Sequence, residues 1–332
     1  MKIAICPSSH GLGHTTRQMA IADLLQTSHN VTVFTNRSSA LTQHKSSNLT
    51  LVNCQWDIGL CQSNSFDVDV NQTRHWLHTN VTDSYIANIA STLQGFDLIL
   101  TDINPMVAQA ATQINKPCYA VGNFSWSWIY SHYPALNEWA ARFKEWESLV
   151  DAFDVGLGPG LGTFKSTTAV GLLARSPMSH PLPKNSVLLS FGGFGIEAPE
   201  SLCPKLPHAK FVADRQTVSM STSMTIVEGI PYPALIGGSS VIVTKPGYGI
   251  VTEAAQHGIP IVCISRPQFP ESPHIERWLK QRGDCVLGTQ MNEAGFQEEY
   301  LDAINQMLAH GRHPPLPMTG AFDILTALGM LP

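Results

Sequence analysis

The sequence is short of paired cysteines. Its seven cysteines are scattered and include no CxxC pair, so neither a zinc site nor a disulfide framework is in view, and reduced thiols are expected. No apolar run is long enough to span a bilayer, so no transmembrane segment is expected. The N-terminus has no charged region followed by a long apolar stretch, so no signal peptide is expected, and sequons such as Asn80-Val-Thr82 are read as chance. Basic charge is also scarce. Twenty Lys and Arg stand against 25 Asp and Glu, a net charge of −5, which gives no global attraction to nucleic acid or anionic membrane. These features fit a cytoplasmic protein.

What is present is a βαβ rhythm. The 332 residues are enough for about two domains. "KIAICP" precedes a helix pattern from Thr15 to about Gln26, followed by "VTVFT" at 31–35. "FDLILTD" (96–102) is continuously apolar, as expected of a strand buried on both faces, and a helix pattern from about Pro105 to Ile114 leads to "PCYAVGN". Between Asp154 and Ser186 the composition turns to Gly, Pro and Ser, which marks a boundary. The rhythm then restarts with "SVLLSFGG", "AKFVAD", "SMTIVEG", "SVIVTKPGYG" and "IPIVCIS". Helix patterns close the chain from about Gly295 to Ala309 and Gly320 to Leu328. An α/β fold with two parallel, Rossmann-like sheets is expected.

Two glycine loops carry the candidate chemistry. In "SSHGLGHTTR", Gly11 and Gly13 are followed by His14 rather than the spacing of a dinucleotide fingerprint, and Asn36-Arg37 rather than an acid follows the second strand. An NADP reading through Arg37 is left weakly open. The alternative is a loop that places the His14 imidazole at a helix N-terminus, as a base. Asp102 ends its strand at the same carboxyl end of the sheet and is a partner for that imidazole. Against this stand a capping or packing role for His14 and an N-cap role for Asp102. In the second half, "VIVTKPGYGIVTEAAQHGIPIV" reads as strand, turn, helix, Gly stop and strand. Gly247 and Gly249 allow an anion to approach a helix N-terminus, with Glu253 in reach of ribose hydroxyls. Gly192 and Gly193 in "LLSFGGFG" offer a second turn. Glu271, Ser272 and His274 are placed in a loop before a helix. The aromatic run "GNFSWSWIYSHYP" reads equally as core or as an acceptor wall.

These runs resemble GT-B glycosyltransferases. "VTKPGYGIVTEAAQHGIPIV" is similar to the donor signature of UDP-sugar transferases, including the UDP-GlcNAc transferase of peptidoglycan synthesis. "GLGHTTR", "NFSWSWIY", "PGYGIVTEA" and "PESPHIERWL" resemble the glycosyltransferase-like N-terminal region of L-arabinokinases over nearly the whole chain. "GLGHTTR" also resembles the loop of a GT-B nucleotide-sugar hydrolase. The resemblance implies two Rossmann-like domains facing a cleft: an acceptor domain over 1–174, a nucleotide-sugar donor domain over 175–315, and a C-terminal helix over 316–332 crossing back toward the first. It implies that His14 is the base of an inverting transfer and Asp102 its orienting partner. It further implies that Glu253 holds ribose, that Gly229 and Ile230 meet uracil, and that Glu271 and Ser272 bind sugar hydroxyls. Gly13, Gly192, Gly193, Phe194, Lys245, Gly247, Tyr248 and Gly249 complete the donor-binding candidates. His10, Arg17, Asn123 and Trp126 are acceptor-side candidates. The sequence departs from the pattern at Ser272, at Lys245 and at Gly249-Ile250. The implied activity is transfer from a UDP-sugar co-substrate to an unknown acceptor hydroxyl, with no cofactor and no metal. The alternatives are a nucleotide-sugar hydrolase and a non-catalytic sensor.

Overall fold

The structure is a computed structural model that describes residues 1–37, 41, 46–192, 202, 206, 208–214, 225–289 and 295–330. It divides into two compact units. The first comprises Met1–Cys61, Val68–Leu173 and Met318–Pro332; the second comprises Gln62–Asp67 and Ala174–Pro317.

Among the described residues, the first unit is built on a seven-stranded parallel sheet. Its strands are β1 (Lys2–Cys6), β2 (Asn30–Thr35), β3 (Leu49–Asn53), β4 (Leu98–Thr101), β5 (Cys118–Gly122), β6 (Asp151–Asp154) and β7 (Thr167–Ala169), in the order β3-β2-β1-β4-β5-β6-β7. All neighbours run parallel. The β1 and β4 side chains are nearly all buried because helices cover both faces, which is why these strands read as unbroken apolar runs. The helices are α1 (Leu12–Leu25), α2 (Val70–Asn80), α3 (Asp83–Leu93), α4 (Pro105–Gln113), α5 (Trp126–Ser131) and α6 (Asn137–Glu147). Asn104 starts α4: its side-chain oxygen accepts the N–H groups of Met106 (3.0 Å) and Val107 (3.3 Å), and Pro105 fills the first turn. The cap of α4 is therefore Asn104 and not Asp102.

Among the described residues, the second unit has a six-stranded parallel sheet. Its strands are β8 (Ser186–Ser190), β9 (Lys210–Asp214), β10 (Thr225–Val227), β11 (Val241–Thr244), β12 (Ile261–Ile264) and β13 (Cys285–Leu287), in the order β10-β9-β8-β11-β12-β13. Its helices are α7 (Tyr232–Gly238), α8 (Tyr248–Gln256), α9 (Ser272–Arg282) and α10 (Phe296–His310). The core gathers Val187, Leu189, Val241, Val243, Val262 and Ile264 from the strands against Tyr300, Ile304 and Met307 of α10. The final helix, α11 (Gly320–Ala327), packs on α1 in the first unit.

Three local readings change. Helix α1 begins at Leu12, not Thr15, because Gly11 caps it in an extended conformation without any side-chain cap to advertise the start. Ser272 and His274 lie in α9 and not in a loop; Pro273 occupies the first turn, where its missing N–H costs nothing. Residues 62–67, grouped with 1–174 by sequence, belong to the second unit. Ser65 Oγ donates to the Phe191 carbonyl (3.2 Å), Lys245 Nζ to the Ser65 carbonyl (3.0 Å) and Gln268 Nε2 to Asp67 (3.0 Å), while Phe66 packs on the core.

Candidate active site

In the first unit the strand order reverses between β1 and β4, which pair with Cys6 opposite Thr101. The loops leaving these two strands diverge, and the carboxyl ends of such strands are where open α/β sheets place their chemistry. His14 follows β1 and Asp102 follows β4, and the structure brings them together: His14 Nδ1 lies 2.8 Å from Asp102 Oδ1. The turn that aims Asp102 includes Ile103 at φ 51°, a conformation a β-branched residue rarely adopts.

Asp102 is fully buried and carries several partners. Arg17 Nε donates to Oδ2 (2.7 Å), Arg17 Nη2 to Oδ1 (2.6 Å) and Gln18 Nε2 to Oδ2 (3.2 Å). Burial alone would raise its carboxyl, but the charges and hydrogen bonds of Arg17 and His14 outweigh that and bring it down to about 2. Arg17 Nη1 donates onward to Asn123 Oδ1 (2.6 Å). His14, Arg17 and Gln18 stand at i, i+3 and i+4 of α1, so one helix face meets Asp102. The carboxylate oxygen accepts from both the imidazole and the guanidinium. In the tautomer that donates Nδ1–H to Asp102, Nε2 is the basic nitrogen, the form a proton acceptor needs; Arg17 Nη2 lies 3.1 Å from the same Nδ1. The His14 ring is 9% exposed and contacts His10 and Phe124 (centroids 5.8 Å each) and Trp126 (6.1 Å). Trp126, Phe124 and Tyr130 are themselves core side chains, each 1% exposed. A side chain at Gly11 would meet nothing within 4 Å, and its extended backbone suits any residue, so the protein's own packing does not require glycine there.

Asp57 is part of this cluster and no sequence motif marks it. It is 3% exposed, and its Oδ1 accepts the Ser9 N–H at 2.5 Å. Burial pushes its carboxyl up to about 6, against the opposing pull of the Ser9 amide, the Ser8 hydroxyl and His14.

In the second unit the order reverses between β8 and β11. Gly192 follows β8 at φ +74°, which glycine adopts without cost, and Gly193 and Phe194 lie outside the described residues. After β11, Lys245 and Gly247 lead into α8, whose N-terminus has no side-chain cap; Tyr248 is buried and Gly249 partly so. Lys245 is mostly buried and donates to the Ser65 carbonyl; burial, with Arg266 adding repulsion, brings its ammonium down to about 7. Glu253 is 5% exposed and paired bidentately with Arg175, Nε to Oε1 at 2.5 Å and Nη2 to Oε2 at 2.9 Å. The sequence reading had no partner for Glu253. Gly229, at φ +76°, and Ile230 precede α7. Glu271 and Ser272 are buried at the start of α9, and Ser272 Oγ has no hydrogen-bond partner among the described residues. The Asp67-Val68-Asp69 run is an Asp-x-Asp pair that the metal-free sequence reading overlooks. Asp69 caps α2 by accepting the Gln72 N–H (2.8 Å), and Asp67 accepts from Asn64 (2.7 Å) and Gln268.

No protein-family model matches the chain. It is 25% identical to L-arabinokinase of Arabidopsis thaliana over 303 residues, which is 82% of this chain and 29% of that protein, so the chain spans less than a third of that relative's length. Among solved structures, the spinosyn forosaminyltransferase SpnP superposes with a TM-score of 0.64 at 17% identity, covering 100% of this chain and 95% of that one. Os79 from O. sativa, solved in complex with UDP, superposes with a TM-score of 0.62 at 12% identity, covering 98% and 99%. Among the described residues, no helix is long and apolar enough to cross a membrane. With its two parallel sheets and these structural neighbours, the chain has the GT-B fold of glycosyltransferases.

Proposed function

We propose that the protein is an inverting glycosyltransferase that moves a sugar from a UDP-sugar to an acceptor hydroxyl without a metal or cofactor. The observation that carries this reading is the buried His14–Asp102 contact; with Nδ1–H donated to the carboxylate, Nε2 is left as the base. His14 takes the acceptor proton, the acceptor oxygen bonds to the anomeric carbon, and the bond from that carbon to the diphosphate oxygen breaks, UDP leaving with the electron pair. General-base help of this kind contributes roughly 10²–10⁴ in rate. Support for a nucleotide diphosphate comes from the uncapped N-terminus of α8, the Gly192 turn and Lys245. The UDP bound to Os79 makes UDP the first nucleotide to try. Glu253, already ion-paired, keeps lone pairs on both oxygens for ribose hydroxyls. A reducing compartment such as the cytoplasm suits the free cysteines among the described residues.

The test is product analysis with a UDP-sugar panel, with and without cell extract and with and without EDTA, using the wild type and His14→Ala. Transfer that needs extract, persists in EDTA and falls at least about 100-fold in His14→Ala supports the proposal. UDP and free sugar released without extract identify a hydrolase. Binding without turnover identifies a sensor. Loss of turnover in EDTA, restored by magnesium or manganese, refutes the metal-free step.

A further inference from the structure

His14 does not have the charge environment of a simple histidine–carboxylate pair. Asp102, its partner, is bound on both oxygens by Arg17, and Arg17 Nη2 itself lies 3.1 Å from His14 Nδ1. The carboxylate beside the imidazole is thus itself paired with a guanidinium.

Asp57 has the opposite character. The Ser9 amide bonds to Oδ1 and the Ser8 hydroxyl also acts on the carboxylate, while Oδ2 is buried with no hydrogen-bond partner among the described residues. The segment that carries Asp57 is held firmly against the loop between β1 and α1. The Leu60 N–H donates to His10 Nδ1 (3.2 Å) and Tyr130 OH to the Gly59 carbonyl (2.7 Å). Gly59 sits at φ +58° with no room for a side chain: a Cβ there would lie 2.5 Å from Trp126 and 2.6 Å from His10 Cβ. The titratable and charged groups around this carboxylate are His14, Asp102, Arg17, His10, and the Tyr85 and Tyr130 hydroxyls, both of which Asp57 helps to push upward after burial.

We propose that Asp57 is a positioning residue of the His14 base. Through Ser9 it fixes the loop ahead of α1, and it supplies the uncompensated negative charge that stabilises the imidazolium formed when His14 takes a proton. The proposal rests on the general-base reading of His14. It explains why a carboxylate lies buried beside this loop with an oxygen unsatisfied, an arrangement that functional sites hold against their own stability.

Asp57→Asn keeps an oxygen for the Ser9 amide and replaces the charged Oδ2 by a neutral NH2. In the full-length protein, kcat should fall about 10- to 100-fold, while UDP affinity and donor KM stay within about twofold. A step in the pH–kcat profile near pH 6 should disappear. A readout independent of turnover is the carbon NMR titration of the Asp57 carboxyl, which should centre near pH 6 and move upward in His14→Gln, since the two charges stabilise each other. An Asp57 midpoint unchanged in His14→Gln, or a folded Asp57→Asn protein with wild-type kcat, overturns the proposal. If the wild type turns over no nucleotide sugar, the transferase reading fails, and the NMR titration still decides the pairing. If Asp57→Asn does not fold, the His14→Gln titration decides alone.

Discussion

Replacing Arg17 by Met tests the geometry of the site through stability alone. Arg17 donates three hydrogen bonds to Asp102 and Asn123 while 2% exposed. A carboxyl moved from 3.8 to about 2 is about 2.4 kcal/mol more stable as an anion in the fold than in the unfolded chain. Because the folded value is depressed, this stability is present above pH 3.8 and is lost as pH falls through about 2. In Arg17→Met the largest opposing influence is gone and burial dominates, so the Asp102 carboxyl should rise above its ordinary value. The sign then reverses, and the variant should lose stability as pH rises. We expect a deficit of about 3–5 kcal/mol at pH 7.5, the cost of breaking a buried pair, shrinking by about 2 kcal/mol or more near pH 4. Urea denaturation at the two pH values measures both. In Arg17→Met/Asp102→Asn the buried charge is gone, and most of the loss should be recovered. A deficit equal at both pH values, or additive single-variant losses, would refute the claim that Arg17 acts by compensating Asp102.

Two further outcomes concern the second unit. UDP affinity should fall about tenfold between pH 6 and 8.5, because the Lys245 ammonium, brought down to about 7, loses the proton that attracts a diphosphate; calorimetry on Lys245→Met should show a flat profile, and a flat wild-type profile removes Lys245 from the site. Glu253→Gln should weaken UDP binding about tenfold or more, the scale of a lost charged hydrogen bond; unchanged affinity in the folded variant removes Glu253 from the site.

The sequence was most legible where strands are buried on both faces. Leu98–Thr101 and Val241–Thr244 are wholly buried, and their apolar runs mark them directly. Edge strands gave no such signal: Thr167–Ala169 is exposed throughout, and Cys285–Leu287 is only half-buried. The helix Val70–Asn80 was silent for a similar reason, since Thr73 and Leu77 are its only buried residues. At the candidate site, Arg17 was legible only as an acceptor-side residue implied by the resemblance of "GLGHTTR". What Arg17 binds was not, because Asp102 is 85 residues away in sequence. Asp57 and Arg175 stand alone in stretches without a motif, and only the fold pairs one with the Ser9 amide and the other with Glu253.

The two buried carboxylates of the first unit call for different explanations. Asp102 is compensated by Arg17, His14 and Gln18, and its net effect at neutral pH is favourable, so stability alone could account for its retention. Asp57 works the other way. A carboxyl raised from 3.8 to about 6 contributes stability that is complete only at low pH and is lost as pH rises through about 6, a cost on the order of 3 kcal/mol at neutral pH. An asparagine would keep the Ser9 hydrogen bond and avoid that cost. It would, however, bury an amide NH2 where Oδ2 has no partner among the described residues, so hydrogen bonding does not by itself choose between the two, and what the acid adds is its charge. Its electrostatic partners in the fold include His14, Asp102 and the Tyr85 and Tyr130 hydroxyls, while the Arg17 charge is already paired with Asp102. Of these, only an imidazole that becomes cationic gains from a nearby anion, so the destabilising carboxylate and the candidate base are most simply read as parts of one device.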